Sequence, residues 1–284
     1  GGMWIGTYYG GVDYYHPLQS QYRSMRRNNT PGRLNDNIIS CISESADGLI
    51  YIGTNTGGVN IYNPITNSYN HLSKENGLLS NDVKTISIDN LHSRLYVGTN
   101  HGGFVEFDLA SKRKIRSFMP EKDVYSIIPA LDGNFWICTL EGLYRFNPVD
   151  GKISELPADD AGKDFLAKST DLFRDKDRRL WISGEKGVQV FVEENGHLSP
   201  RKILHGNHPL TTYFVNSVGQ LSNGDIWISS RDGLYILSRD LNVLKNHFTV
   251  HNGLPNNIVY GVLEDNDGRL WISTNYGLAS YSQE

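Results

Sequence analysis

Ten residues of this chain occupy one kind of position while differing in chemistry: Tyr8, Tyr9, Thr56, His101, Glu141, Glu185, Lys186, Arg231, Asp232 and Tyr276. Each lies in a short turn between two apolar segments. A packing requirement would repeat the same residue type from turn to turn, and these do not repeat. Tyrosine supplies a flat, partly apolar face on which a sugar ring can lie, and Arg, Asp and Glu supply charge-assisted hydrogen bonds for hydroxyls. These ten are the candidate ligand-binding residues. Their turn neighbours read as structural: Gly58, Gly103, Gly142, Gly187, Gly233 and Gly277 recur at one place, and Asn55, Asn100 and Asn275 can cap the turn with their side chains.

Other chemistry is weakly represented. No H-E-x-x-H, G-x-S-x-G or glycine-rich phosphate loop is present, so no catalytic residue is nominated and no cofactor is implied. His247 and His251 are four apart, which on a strand separates them by about 13 Å at roughly 3.3 Å per residue, too far for a shared metal. Asp265-Asn266-Asp267-Gly268 begins like a calcium loop, but Arg269 stands where another oxygen ligand is needed. No metal site is expected. The net charge is -4 and no run of Lys or Arg exists, which argues against a nucleic-acid partner. No apolar stretch approaches the roughly 18 residues of a membrane span, so no membrane contact by this chain is expected. Cys41 and Cys138 lie in different repeats and read as small buried hydrophobes.

The elements that position the turns are written in a repeated phrase. NDGRLWISTNYGLASY (Asn266 to Tyr281) returns as ADGLIYIGTNTGGVNIY, HSRLYVGTNHGGFVEF, DGNFWICTLEGLYRF, DRRLWISGEKGVQVF and NGDIWISSRDGLYIL, and MWIGTYYGGVDYY opens the chain within another copy. The aromatic marks Trp4, Tyr51, Tyr96, Trp136, Trp181, Trp227 and Trp271 lie 40 to 47 residues apart. That period suits a four-stranded propeller blade or a helical repeat. Period-two alternation, β-branched and aromatic residues, and Asp-Gly or Asn-Gly turns favour strands, and no segment carries a helical stripe.

Each unit therefore reads as strands a to d. Strand a covers Ile38 to Ser43, Val83 to Asp89, Val124 to Pro129 and Val259 to Glu264; strand b is the L-W-I-G-T segment. Strand c is exemplified by Gly142 to Phe146, and the variable strand d by Ser68 to Leu72 or Leu244 to Thr249. Seven b and c strands but six a and d strands can be counted. The expected fold is an all-β, seven-bladed β-propeller of four-stranded blades with incomplete first and last blades, spanning residues 1–284 as a single domain, or a fragment of a longer array. In such blades the d-to-a and b-to-c connections emerge at one end, which places the ten candidates on one rim.

Two phrases carry a family resemblance: the junction before strand a, Asn76-Gly77-Leu78-Leu79-Ser80-Asn81-Asp82-Val83 and Asn252-Gly253-Leu254-Pro255-Asn256-Asn257-Ile258-Val259, and the D-x-x-G-x-L-W-I-G-T-x-x-G-L-x-x-Y phrase of Asp265 to Tyr281. Together they resemble the two-component-regulator propeller repeats in the periplasmic sensor regions of bacterial hybrid histidine kinases. The similarity is strong at residues 35–108 and 250–281 and weak at 150–215. The resemblance implies a non-enzymatic, periplasmic sensor for an oligosaccharide. It also implies a second propeller, downstream domains of the same receptor and a possible homodimer as partners. Two other readings stay open: a propeller enzyme similar to streptogramin lyases, for which His101 with Glu141 is the pairing to test, and a protein-docking scaffold.

Overall fold

The computed structural model describes residues 2–7, 11–16, 19–27, 33–157, 160–194, 196–201, 203 and 213–282. Their contacts divide into two compact units, Gly1–Ile127 and Ile128–Glu284. The first unit opens with a three-stranded sheet of β1 (Met3–Thr7), β2 (Gly11–His16) and β3 (Gln19–Met25). Two four-stranded sheets follow. One is β4 (Ile39–Glu44), β5 (Ile50–Thr54), β6 (Val59–Asn63) and β7 (Ser68–Leu72). The next is β8 (Val83–Asp89), β9 (Arg94–Thr99), β10 (Phe104–Asp108) and β11 (Lys114–Phe118).

The next sheet begins with β12 (Val124–Pro129), at the border of the units, and continues through β13 (Phe135–Thr139), β14 (Gly142–Phe146) and β15 (Ile153–Glu155). The second unit then adds β16 (Ser169–Arg174), β17 (Arg179–Gly184), β18 (Gly187–Glu194) and β19 (His197–Arg201). After these come β20 (Val215–Gln220), β21 (Ile226–Ser230), β22 (Gly233–Leu237) and β23 (Leu244–Phe248). The last sheet is three-stranded: β24 (Val259–Glu264), β25 (Arg269–Thr274) and β26 (Gly277–Ser282).

The fold is an all-β propeller, but the expected count of seven blades is corrected to six. A blade is built outward from its inner strand a, and six sheets have one: β4, β8, β12, β16, β20 and β24. Among the described residues the N-terminal sheet lacks an inner strand, its three strands being equivalents of b, c and d. Counting Trp4 as a blade mark registered a strand b that has no strand a beneath it. One element was unforeseen, the helix α1 (Asp160–Leu166). At seven residues it is too short to write a helical stripe, and it is held by Phe165 and Leu166, buried against Leu143 and Leu172.

Packing explains the repeated phrase. Strands b and c stand in the middle of each blade with neighbours on both faces, so β5, β13 and β22 are buried at every residue. The aromatic mark spans adjacent blades: Tyr51 packs with Val83 and Ile86, Trp136 with Leu172 and Ile182, and Trp181 with Val215 and Val218. Burying one such side chain contributes about 1.5–3 kcal/mol. Strand d faces outward, and β7 alternates exposed and half-buried residues before ending in the buried Leu72.

Candidate functional site

Five of the turns between strands b and c are built by a hydroxyl, the turn after β17 ending strand b in Gly184 instead. Thr54, Thr99, Thr139, Ser230 and Thr274 end strand b and donate to the carbonyl oxygens of Gly58, Gly103, Gly142, Gly233 and Gly277 over 2.8 to 3.2 Å. In the tighter turns the same oxygen accepts the N–H of Glu141 (3.1 Å), Asp232 (3.0 Å) or Tyr276 (3.2 Å). The hydroxyl fixes the backbone and leaves the next side chain free to point outward. That is why the turn can change residue from blade to blade without losing its shape.

Five turns are also tied to the start of their inner strands. The N–H groups of Asn55, Asn100, Glu185, Arg231 and Asn275 donate to the carbonyls of Ile38, Asp82, Lys168, Phe214 and Ile258 over 2.8 to 3.1 Å. The Asn-rich junctions are themselves rigid. Ser73 and Thr249 cap single 3-10 turns, with Asn76 and Asn252 returning the bond to the cap N–H. The Asn81 and Asn257 side chains accept the N–H of Lys74 and Val250 over 2.8 Å. The strand-a junction and the b-to-c turn thus share one end of each blade.

The candidates are grouped blade by blade. Thr56 donates both its N–H and its hydroxyl to Asp36 Oδ2, each over 2.7 Å. Burial pushes the Asp36 carboxyl up, but those bonds and the Ile38 N–H outweigh it and hold the group below the ordinary carboxylate range. His101 has φ of 51°, donates its N–H to Asp123 Oδ1 over 2.6 Å, and holds its imidazole 3.0 Å from the same oxygen, with 78% of the side chain exposed. Lys186 pairs with Asp164 of α1 over 3.2 Å, and Glu185 beside it is exposed. Glu141 is exposed in the turn after β13.

Arg231 and Asp232 form the densest group. The Arg231 guanidinium lies 4.1 Å from the centre of the Phe214 ring. Asp232 Oδ2 accepts the Tyr235 hydroxyl over 2.7 Å, and its carbonyl lies 2.7 Å from His247 Nε2. His247 in turn stacks on Tyr235 at 3.9 Å with an interplanar angle of 9°. Tyr276 is 80% exposed in the last blade. Tyr8 and Tyr9 lie outside the described residues. His101 belongs to the first unit and Glu141 to the second, and the acid that His101 meets is Asp123.

Sequence reasoning missed Asp36, Asp123, Phe214 and Tyr235, which brace the candidates, and weighed His247 only as a metal ligand. Asp36 and Asp123 precede an inner strand, and that position was the available signal. Among the described residues no cluster of His, Cys, Asp and Glu could hold a metal, and no helix is long and apolar enough to cross a membrane.

Comparison with known proteins follows the same outline. The model of the two-component regulator propeller matches residues 33–56 and 253–276, the segments around the first and last inner strands. A histidine kinase, P4, from Formosa agariphila is 27% identical over 298 residues, covering 96% of this chain and 21% of the kinase. The extracellular domain of a putative one-component system from B. thetaiotaomicron superposes with a TM-score of 0.76 at 25% identity, covering 99% of this chain and 36% of that one. A second structure, of the extracellular domain of a putative hybrid two-component system from the same organism, gives 0.75 at 23% identity, with 100% and 37% covered. This chain therefore spans about a fifth of the curated relative and little more than a third of the solved structures. In its repeats and in its fold, the chain resembles the propeller of the extracellular region of two-component regulators.

Proposed function

We propose that this chain is the extracytoplasmic, ligand-sensing propeller of a hybrid two-component system, and that its ligand is a glycan or oligosaccharide. Residues 1–284 form one propeller domain of a longer sensor region in the periplasm. A second propeller, the downstream domains of the same receptor and a second copy of it are the partners. The reading is supported by one observation above the others: braced turns present chemically different, exposed side chains at one end of the blades, among them Arg231 and Tyr276. Rigid backbone with varied polar and aromatic tips suits recognition of hydroxyls and ring faces, and needs no reacting group.

A thermal-shift screen against oligosaccharides of defined linkage tests it. A ligand at 100 times its dissociation constant adds about 2.7 kcal/mol, which in a chain of this size raises Tm by several degrees. The expected result is one selective shift that Arg231→Ala or Tyr276→Ala abolishes while leaving the ligand-free Tm within a degree or so, as surface substitutions do. A flat panel, or a shift insensitive to both substitutions, overturns the reading.

A further inference from the structure

The four tryptophans of the second unit occupy the same place in strand b, and three of them are held by neighbours. Trp181 donates its indole N–H to Asp175 and Trp271 to Asp265. Arg179, Arg269 and Arg145 lay guanidinium groups 5.5 to 5.9 Å from the ring centres of Trp181, Trp271 and Trp136. Trp227 has neither support. Leu221 stands where the others have Asp175 and Asp265, and Asp225 stands where they have Arg179 and Arg269. Among the described residues the Trp227 N–H makes no hydrogen bond and no cation covers its ring.

Trp227 also differs in its surroundings. Trp136 and Trp181 are fully buried, whereas Trp227 and Trp271 are partly exposed, and of the four Trp227 is the one that lines a cavity of about 500 Å³ among the inner strands β16, β20 and β24. Gly219, its partner in register, makes the room. A Cβ there would sit 2.3 to 2.6 Å from the ring edge that carries Nε1. The cavity opens beside the a-to-b turns, at the opposite end of the blades from Arg231 and Tyr276.

Its polar groups are sorted by availability. Glu264 is locked across the blades, accepting the Ser222 N–H and hydroxyl over 2.5 and 2.7 Å. Gln220 is spent on the backbone, accepting the Lys176 N–H over 2.8 Å and donating to Gly224 over 2.9 Å. The Lys176 ammonium makes no bond among the described residues. A molecule entering meets a partly exposed indole ring, two unused donors in Lys176 and Trp227, and one fixed carboxylate acceptor.

We propose that this cavity is a binding site for a neutral sugar unit, which lies on the Trp227 ring, accepts hydrogen bonds from Lys176 and the indole N–H, and donates a hydroxyl to Glu264. An apolar aliphatic ligand would strand the charges, and an anion would meet the Glu264 carboxylate, so a polyhydroxylated ring satisfies all three groups. The cavity volume is in the range of small-molecule sites. None of the residues lining this cavity belongs to a b-to-c turn.

The test observes the indole N–H signals of the 15N-labelled full chain, which has five tryptophans. Trp227→Phe assigns its signal. Cellotetraose, maltotetraose and mannotetraose are titrated separately to about 10 mM, above the affinity expected of a weak site. The expected result is a saturable shift of the Trp227 signal by at least one probe, weakened about tenfold by Lys176→Ala or Glu264→Gln and unaffected by Arg231→Ala. Should Trp227→Phe fail to fold, the exposed Lys176→Ala variant still decides the matter through the loss of affinity. Absence of any Trp227 shift, equal shifts of all five signals, or a shift that Lys176→Ala and Glu264→Gln leave unchanged would overturn the proposal. Binding abolished by Arg231→Ala alone would support the turn site and sink this one.

Discussion

Trp181 donates its indole N–H to Asp175 Oδ2 over 2.8 Å, and the same carboxylate takes Arg179 Nε over 2.5 Å and the N–H groups of Asp177 and Arg179 over 3.0 and 2.9 Å. Asp175 and Arg179 are both buried. Four donors thus converge on one side chain that closes the turn, holds the strand and orients the blade-packing aromatic. The last blade repeats the plan with Asp265 and Trp271 at 2.9 Å, but there Arg269 is exposed.

The two aspartates therefore differ in what their loss costs. Asp175→Ala leaves the buried Trp181 N–H and Arg179 Nε without an acceptor, while the guanidinium keeps the Arg239 carbonyl and Asp177, and about 3 kcal/mol of stability should disappear. Asp265→Ala strands only groups that water can reach, and should cost about 1 kcal/mol. Urea titrations of both variants check the ordering. Equal midpoints would mean that the Asp175 network contributes no more than an exposed turn does.

The hydroxyl that closes five of the b-to-c turns makes a second comparison. Thr139 donates to Gly142 over 3.1 Å and accepts the Glu141 N–H over 3.1 Å, and it is fully buried. Thr139→Val keeps the shape but removes both bonds, and should cost about 1–3 kcal/mol. Thr139→Ser keeps the oxygen and should stay within about 1 kcal/mol of the parent. Chemical denaturation of the pair separates lost hydrogen bonds from lost volume, since Ser loses a methyl and Val does not.

Much of the scaffold was legible because its signals are local. Val83 to Asp89, Val124 to Pro129, Val259 to Glu264, Ser68 to Leu72 and Gly142 to Phe146 are strands with the bounds that alternation and turn residues indicate. The first inner strand is displaced by one residue, to Ile39–Glu44. What alternation cannot convey is pairing across sequence. Asp36 braces Thr56 from 20 residues away and Asp123 braces His101 from 22, and neither acid stands out locally. The blade count went astray for another reason: the sequence showed six inner strands against seven marks, and Trp4 was counted as a blade although its sheet is built from equivalents of b, c and d. The unsupported Trp227 is different: Leu221 and Asp225 are visible once the tryptophans are aligned, but the bonds they remove had to be seen before the substitutions meant anything.

Two glycines with similar backbone angles have unequal surroundings. Gly103 has φ of 59°, and a Cβ on it would lie 2.0 Å from the Phe118 carbonyl oxygen and 2.3 Å from that of Met119. Gly133 has φ of 83° with nothing within 4 Å. Gly133→Ala should cost about 1–2 kcal/mol, the price of a left-handed angle alone. Gly103→Ala must also push two backbone carbonyls aside and should cost about 1–3 kcal/mol more. Thermal unfolding of the two variants under identical conditions measures the difference, and a Gly133→Ala chain as unstable as Gly103→Ala would refute the steric part of the argument.

Asp171, on β16, accepts the Ser217 hydroxyl of β20 over 2.8 Å, so a carboxylate sits between two inner strands. Burial pushes its pKa up to about 6, against the hydrogen bonds from Ser217 and from the Leu172 and Val218 backbone that favour ionisation. The unfolded chain ionises this group near its ordinary value of about 3.9. Between those two values the folded state binds more protons than the unfolded state, so the contribution of Asp171 to stability is greatest below pH 4. It falls as pH rises through 6 and is constant above that. Asp171→Asn keeps an acceptor for Ser217 and removes the charge. Relative to the parent it should be near neutral at pH 4 and more stable by about 1–3 kcal/mol at pH 7. The stability difference, followed by urea unfolding at half-unit steps from pH 4 to 7, isolates this group because the other carboxylates titrate in both chains. A difference that does not change with pH would show that Asp171 ionises in the folded protein as it does in water.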